Sequence, residues 1–388
     1  MANLMEDKQI LMIPGPTPIP QRVLRALANP AVGHRTPGFS RLLTEVTQKV
    51  KEIYRTDNDL LILTSSGTGA MEAAVSNFLN PGDKVIVMEN GNFAERWIKI
   101  CEAYGAIPRV VAGPWGQQAE PAALGQALAA DRDKEIKAVY VTHNETSTGV
   151  THDVRALRAV CGDHPAIFVV DSISGMAVSP LETDAWGLDV VVSGSQKAFM
   201  LPPGLAFISV SPKAWELNKG CEAPSFYLSL RAAKKNLDDK KMTPYTPAAS
   251  LLVGLRESLS MMAEEGLANI QARHARNRDI TRAAVRAMDL TPLADDAAAS
   301  AAVTAIRRPG DIDVKKIAGI MADKYNIIIA AGQGKLEKEI FRVGHLGYIA
   351  ATDILATVAC LEMTLLELGW PATLGAGVAA AQRQILRG

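Results

Sequence analysis

Asp189-Val190-Val191-Val192-Ser193-Gly194-Ser195-Gln196-Lys197-Ala198-Phe199-Met200-Leu201-Pro202-Pro203-Gly204 is the stretch from which the rest of the chain can be read. An apolar run ends in a small polar turn, a single lysine follows, and Pro-Pro-Gly leads into a second apolar run, Leu205–Val210. An ammonium between two buried strands is costly to desolvate. A desolvated lysine amine is, however, the usual partner of a carbonyl cofactor, which it holds as an imine. The link from Val192 to Leu205 is short and rich in Gly and Pro, which leaves little room for a crossover helix. The two runs are therefore expected to pair antiparallel.

Upstream, short apolar runs alternate with helical patterns. The runs are Leu60–Leu63, Lys84–Met88, Arg109–Ala112, Ala138–Thr142, Ala166–Val170 and Leu188–Val192. Between them lie helical stretches at Thr68–Asn80, Phe93–Tyr104, Pro121–Ala130 and Val154–Cys161, then a shorter connection near Leu181–Trp186. Continuous apolar strands alternating with helices imply a parallel sheet covered on both faces. With Leu205–Val210 added, the expectation is an α/β fold with a seven-stranded, mostly parallel sheet and one antiparallel strand.

Ahead of this block, Pro14, Pro16, Pro18 and Pro20 exclude helix and central strand. Residues 1–20 read as a stiff arm that either lies on the surface as a linker or crosses a neighbouring site. Gln21–Ala28 is helical, Gly33–Phe39 is turn-rich, and a helix follows Ser40 with Leu42, Leu43, Val46, Val50 and Ile53 on one face. Beyond the block, Lys213–Lys241 reads as polar and irregular, and Thr243–Pro247 as a rigid turn. Helices at Ala249–Glu265 and Leu267–Met288 bridge to a smaller α+β domain. Its strands are Ala301–Ile306, Ile327–Ala330 and Ile340–Val343, and its helices Asp313–Tyr325 and Ala351–Leu368. The Ala-rich Gly375–Gly388 is expected to fray. The division is thus an arm at 1–20, a large domain at 21–250 and a small domain at 251–388 that includes the interdomain helix.

Composition narrows the function. Of 388 residues 48% are hydrophobic, enough for a large core, and 41 basic residues balance 41 acidic ones. That balance gives no support to nucleic-acid or membrane-surface binding. Cys101, Cys161, Cys221 and Cys360 are scattered without a CxxC pair, which argues against a zinc or redox motif and for free thiols in a reducing cytoplasm. Met1–Ile10 lacks the apolar core of a signal peptide, and no apolar run reaches membrane-spanning length. The expectation is a cytoplasmic protein with no metal, membrane or nucleic-acid partner.

Open parallel sheets bind ligands beyond the carboxyl ends of their strands. Leu60–Leu63 is followed by Thr64-Ser65-Ser66-Gly67-Thr68-Gly69, a small-residue turn opening a helix, suited to a phosphate or simply to a strand-to-helix turn. Lys84–Met88 leads to Phe93, an aromatic at a helix start that could equally be core. Ala138–Thr142 leads to His143-Asn144-Glu145-Thr146-Ser147-Thr148-Gly149, polar enough for a site or for turn chemistry. Ala166–Val170 ends in Asp171, which is a cap or a desolvated carboxylate awaiting a cation. Asp171 and Lys197 project from the same sheet edge. A lysine for an imine, a carboxylate for a ring nitrogen and a Gly/Ser turn for a phosphate are the parts pyridoxal 5'-phosphate requires.

The chain resembles the class V, fold-type I pyridoxal-phosphate aminotransferases, most of all the alanine–glyoxylate and serine–pyruvate or serine–glyoxylate group. Ser193–Ala198 with Pro202-Pro203-Gly204 carries the cofactor-lysine motif. Pro14-Gly15-Pro16, Gly67–Ala74, Asn80–Asp83, Glu145–Val150, Val170–Ser172, Leu255–Leu259, Phe341–Gly344 and Leu346-Gly347 extend the resemblance along nearly the whole chain. The resemblance implies that Lys197 holds the aldehyde and Asp171 keeps the pyridine nitrogen protonated. Ser66, Gly67, Thr68 and Gln196 would cup the phosphate, Phe93 would stack on the ring where relatives often carry tryptophan, and Thr146 would bond near the ring oxygen. Arg342 would fork onto the substrate α-carboxylate, and Gly15 would line the pocket. Tyr245 and Thr246 would reach across a homodimer interface to the neighbour's phosphate, with Thr243 an alternative to Tyr245. His34 or Arg35 could approach a substrate side chain, and Arg35 in the pocket would favour an aspartate-like donor.

The implied reaction is ping-pong transfer of an amino group from alanine or serine to glyoxylate or pyruvate. Aspartate–glyoxylate or 2-aminoethylphosphonate transamination is the alternative within the class. Desulfurase chemistry ranks lower because no cysteine sits in a matching loop. A non-catalytic subunit retaining the fold is the alternative outside enzymes.

Overall fold

The computed structural model describes residues 8–387. Residues 1–7 of the expected arm and Gly388 of the expected tail lie outside the described residues. The first half runs β1 (Ile10–Leu11), α1 (Gln21–Leu27), α2 (Pro37–Tyr54), β2 (Asp59–Leu63), α3 (Gly67–Ser76), β3 (Lys84–Glu89), α4 (Asn92–Ala103), β4 (Ile107–Ala112), α5 (Pro121–Ala129), β5 (Ile136–Thr142), β6 (Asn144–Glu145), β7 (Val150–Thr151), α6 (Val154–Ala159), β8 (Ile167–Asp171), β9 (Val190–Gly194) and β10 (Ala206–Val210). The second half runs α7 (Pro212–Lys219), α8 (Leu230–Lys240), α9 (Ala249–Glu265), α10 (Leu267–Ala287), β11 (Val303–Arg307), α11 (Val314–Tyr325), β12 (Ile327–Ile328), β13 (Ala330–Ala331), β14 (Ile340–Gly344), α12 (Ala351–Glu367) and α13 (Ala376–Leu386).

The seven-stranded sheet has the order β2-β10-β9-β8-β5-β3-β4. β10 runs antiparallel to both neighbours and all other pairs are parallel. The antiparallel strand falls where the short Ser193–Gly204 link requires it. Period two sorts the strand residues: Val139, Val141, Phe168, Val170 and Val191 face one apolar cluster, while Ala138, Tyr140, Ile167, Val169, Val190 and Val192 face another. Both faces are covered, which is why these strands are unbroken apolar runs. A register slip of one residue would exchange the two sets. The edge strand β4 is half exposed, and its pattern is correspondingly weaker.

The C-terminal half has its own core, in which Ile280, Val285, Ile317, Phe341, Ile354 and Leu361 pack with Met12 of the arm. Its sheet, β11-β14-β13, is antiparallel. β1 pairs in parallel with β12, so the arm is stitched into this half.

Two expectations are corrected. Lys213–Lys241 is mostly helical: Ser211 caps α7 and Ser229 caps α8 by accepting the Ala214 and Ala232 N–H groups. Around Leu230 and Ala233, the charged residues of α8 mask a narrow apolar stripe. The Ala-rich tail does not fray either. α13 packs against α10 and α12, burying Gly377 and Ala381, and the buried Glu362 carboxylate accepts the N–H groups of Gly375 (3.2 Å) and Gly377 (2.5 Å) at its start.

Candidate active site

Lys197 lies in the turn after β9 and is nine-tenths buried. Its Nζ donates to the Pro14 carbonyl of the arm. Thr17 fixes the turn from the same side, its hydroxyl donating to the Lys197 carbonyl (3.0 Å) and its N–H to the Gln196 carbonyl (3.2 Å). The arm is therefore not a surface linker. Gly15 lies against the lysine: a Cβ there would stand 2.5 Å from Nζ, and its φ of +125° belongs to glycine. Burial, helped by the positive fields of Arg342 and Arg96 and opposed by Asp171, lowers the Lys197 amine from 10.5 to about 8.

Asp171 ends β8, and its Oδ1 accepts the Ile173 N–H at 2.8 Å. Burial pushes its carboxyl up to about 7, with nearby Glu145 adding to the rise and Arg96 and Lys197 opposing it. A carboxyl so perturbed is ready for a cationic N–H partner.

Ser66 is the cap residue of α3, yet its side chain makes no capping bond. The Gly69 N–H turns back to the Ser66 carbonyl (2.9 Å), while those of Gly67 and Thr68 and the positive end of the helix dipole remain available to an anion. Gln196 reaches the same place, since a Cβ on Gly194 would meet Gln196 Oε1 at 2.9 Å and Gly67 Cα at 3.4 Å. Gln196 Oε1 is buried with no hydrogen-bond partner. An orphaned amide beside an uncapped helix start fits a phosphate, with the amide turned to donate. Thr68 Oγ1 accepts from Arg96 at 2.9 Å, and the Arg96 guanidinium stands 4.7 Å over the Phe93 ring. Arg96 was not singled out from sequence, although its i+3 spacing from Phe93 puts both on one face of α4.

Arg342 is buried on β14. Nε and Nη2 donate to the Ala331 carbonyl (3.0 and 2.8 Å), and Nη1 to Thr146 O (3.1 Å) and Gln333 Oε1 (3.3 Å). Among the described residues no carboxylate lies within 4 Å of it, and burial lowers it to about 10. The Thr146 hydroxyl pairs with Ser174 Oγ at 2.6 Å.

Tyr245 and Thr246 are not brought to Lys197 in this chain. Tyr245 stacks on Tyr227 (5.5 Å between rings) and donates to the Phe226 carbonyl, and Thr243 Oγ1 donates to the Tyr245 carbonyl. Arg35 is spent on the Thr243 and Pro244 carbonyls (2.6 and 3.2 Å), so within this chain it holds the 243–247 turn and does not enter the lysine site. His34 is half-buried in the same loop.

A mostly parallel sheet with a lysine, a carboxylate and an anion cup at its edge defines a fold-type I pyridoxal-phosphate enzyme. The family model for class-V aminotransferases matches residues 10–340, and the chain belongs to that family. It is 48% identical to a soluble hydrogenase 42 kDa subunit of Anabaena cylindrica, over 98% of this chain and 99% of that one. It is 38% identical to an L-aspartate–glyoxylate aminotransferase of Paracoccus denitrificans (97% and 96% covered). It is 37% identical to a serine–glyoxylate aminotransferase of Arabidopsis thaliana (96% and 94%). Among solved structures, ureidoglycine–glyoxylate aminotransferase from Bacillus subtilis superposes with a TM-score of 0.93 at 27% identity, covering 97% of this chain and 98% of that one. The protein is thus a class V aminotransferase, its cofactor is pyridoxal phosphate, and its substrates are small amino and oxo acids. No helix among the described residues is long and apolar enough to cross a membrane.

Proposed function

We propose that the protein transfers the amino group of alanine or serine to glyoxylate or pyruvate. The carrying observation is Arg342, a buried guanidinium with no carboxylate within 4 Å among the described residues, whose positive field reaches Lys197. The Ala331, Thr146 and Gln333 oxygens take the Arg342 donors in this structure, but neutral oxygens leave its charge uncompensated, and a substrate α-carboxylate would displace weaker acceptors to form charge-assisted bonds. Arg35 holds the 243–247 turn and Arg96 lies at Thr68 beside the anion cup, so the buried Arg342 would be the arginine for a monocarboxylic donor. Three of the relatives named above carry glyoxylate in their names, which supports a small acceptor.

When bound, pyridoxal phosphate withdraws electrons from the substrate α-carbon. Ser66, Gly67, Thr68 and Gln196 would hold its phosphate, and Phe93 and Thr146 its ring. Asp171 would keep the proton on its ring nitrogen. Lys197, largely neutral above pH 8, would serve as the base that accepts the proton of the substrate α-carbon. The arm, with Gly15 against the amine, excludes water from that transfer. Tyr245 and Thr246 would complete the phosphate cup of a second copy in a cytoplasmic homodimer, a role that fits the exposure of Phe226 and Tyr227 beside them. The division into arm 1–20, large domain 21–250 and small domain 251–388 belongs to the same proposal.

The test is a half-reaction screen. Each amino acid is added alone to the yellow holoenzyme and loss of visible absorbance is followed, with glyoxylate or pyruvate added to restore it. Rapid bleaching by alanine or serine and none by Lys197→Ala protein is expected. Preferential bleaching by aspartate would replace the proposed donor, as the name of the Paracoccus relative suggests. No bleaching by any amino acid would favour the non-catalytic subunit that the Anabaena name brings to mind.

A further inference from the structure

We propose that Glu145 is a positioning residue, whose carboxylate caps α4 from a distant loop and so locks the Phe93 platform to the Arg342 clamp. The proposal rests on the reading of the site given above. A helix start leaves its first N–H groups without partners. At α4 the cap residue is Gly91, which has no side chain to accept them. The space is already taken, because a Cβ on Gly91 would stand 2.3 Å from Glu145 Cγ and Cδ.

Glu145 supplies the missing acceptors. Oε2 accepts the Phe93 and Ala94 N–H groups, each at 3.1 Å. Oε1 accepts the Ser147 N–H at 3.1 Å and the Ser147 hydroxyl at 2.5 Å. Ser147 Oγ in turn accepts the Asn92 N–H at 3.0 Å. Asn92, Phe93 and Ala94, the first three residues of α4, are thus satisfied from the loop after β5. A carboxylate has about four lone-pair sites, so these four donors fill it and leave none for a ligand.

Between Glu145 and Ser147 stands Thr146, whose carbonyl takes Arg342 Nη1 and whose hydroxyl meets Ser174. One loop therefore anchors the aromatic at one side of the site and the guanidinium at the other. The negative charge of Glu145 also favours the charged form of Arg342 and the neutral form of Asp171. Displacing Glu145 should move both groups, although its own oxygens touch neither substrate nor cofactor.

The test separates capping from positioning. Removing the Glu145 side chain frees the space at Gly91, where an aspartate can then cap α4 locally. Glu145→Gln and Glu145→Ala should lower kcat/KM by about 10- to 100-fold, the scale of a misplacement near 1 Å, with KM for the amino donor rising. They should also weaken the visible circular dichroism of the bound cofactor, which reads how firmly the ring is held. Gly91→Asp combined with Glu145→Ala should restore the thermal midpoint but neither KM nor the dichroism. Ser147→Ala, a milder change, should shift KM and dichroism in the same direction by a few-fold, and it serves if the other variants fail to fold. Full recovery of KM and dichroism in the double variant would reduce Glu145 to a helix cap and overturn the proposal, as would wild-type values for Glu145→Gln. If wild-type protein exchanged no amino group, the functional reading would fail first. Visible dichroism of the bound cofactor would still test the positioning role.

Discussion

Raising the pH should switch on aldehyde capture by the apoprotein around a midpoint near 8, far below that of a lysine in water. The Lys197 amine falls from 10.5 to about 8 because burial removes the water that solvates its charge, with Arg342 and Arg96 repelling the ammonium. Asp171, itself pushed up to about 7, is mostly ionised at that midpoint and opposes the fall. At pH 7 a lysine at 10.5 is roughly 0.03% neutral and one at 8 roughly 10%, a gain of about 300-fold in reactive amine. The assay mixes apoprotein with pyridoxal, which has no phosphate to titrate, and follows the rise in visible absorbance by stopped flow. Lys197→Ala protein gives the background from other lysines. Asp171→Asn removes an attraction and should move the midpoint down; Arg342→Gln removes a repulsion and should move it up. The same shift has a stability consequence. The folded pKa lies below the unfolded one, so between about 8 and 10.5 the unfolded chain binds more protons and stability rises with pH. Below pH 8 the full penalty applies, about 3 kcal/mol, and Lys197→Met apoprotein should be more stable than wild type by roughly that amount at pH 7. A capture midpoint near 10.5, or an Asp171→Asn midpoint above that of wild type, would refute the reasoning.

Arg342→Lys keeps the charge but loses the fork that spans the Ala331 and Thr146 carbonyls; KM for the amino donor should rise by about 10- to 100-fold, with a smaller change in kcat, as read from half-reaction progress curves. Ending the chain after Leu374 removes α13, exposes the Val378 and Ile385 contacts and strands the buried Glu362 carboxylate. A loss of about 4 kcal/mol or more follows from that burial and the lost acceptor role, and thermal unfolding followed by circular dichroism measures it.

The sheet was legible because its central strands are buried on both faces. Ile167–Asp171 and Val190–Gly194 can be recognised as unbroken buried runs, and the short link to β10 could only give an antiparallel return. The lysine, the carboxylate and the glycine turn were legible for a related reason, since each sits within a few residues of a strand end. What escaped were interactions made across the chain. The Pro14 carbonyl meets Lys197 from far along the sequence, and Arg96 reaches Thr68 from another helix. The capping roles of Glu145 and Glu362 escaped for one shared cause. The sequence signal for a helix start is an oxygen-bearing side chain at the cap position. α4 and α13 both have glycine there, Gly91 and Gly375, so the signal is silent. In each case the acceptor is a carboxylate supplied from another element, Glu145 for α4 and Glu362 for α13, and single-sequence spacing contains no trace of that pairing. Glycine caps alone do not announce the device, since α10 also starts after a glycine, Gly266, with no side-chain cap. At α4 and α13 the orphan N–H groups lie against the fold and need partners, and there the buried glutamate supplies them.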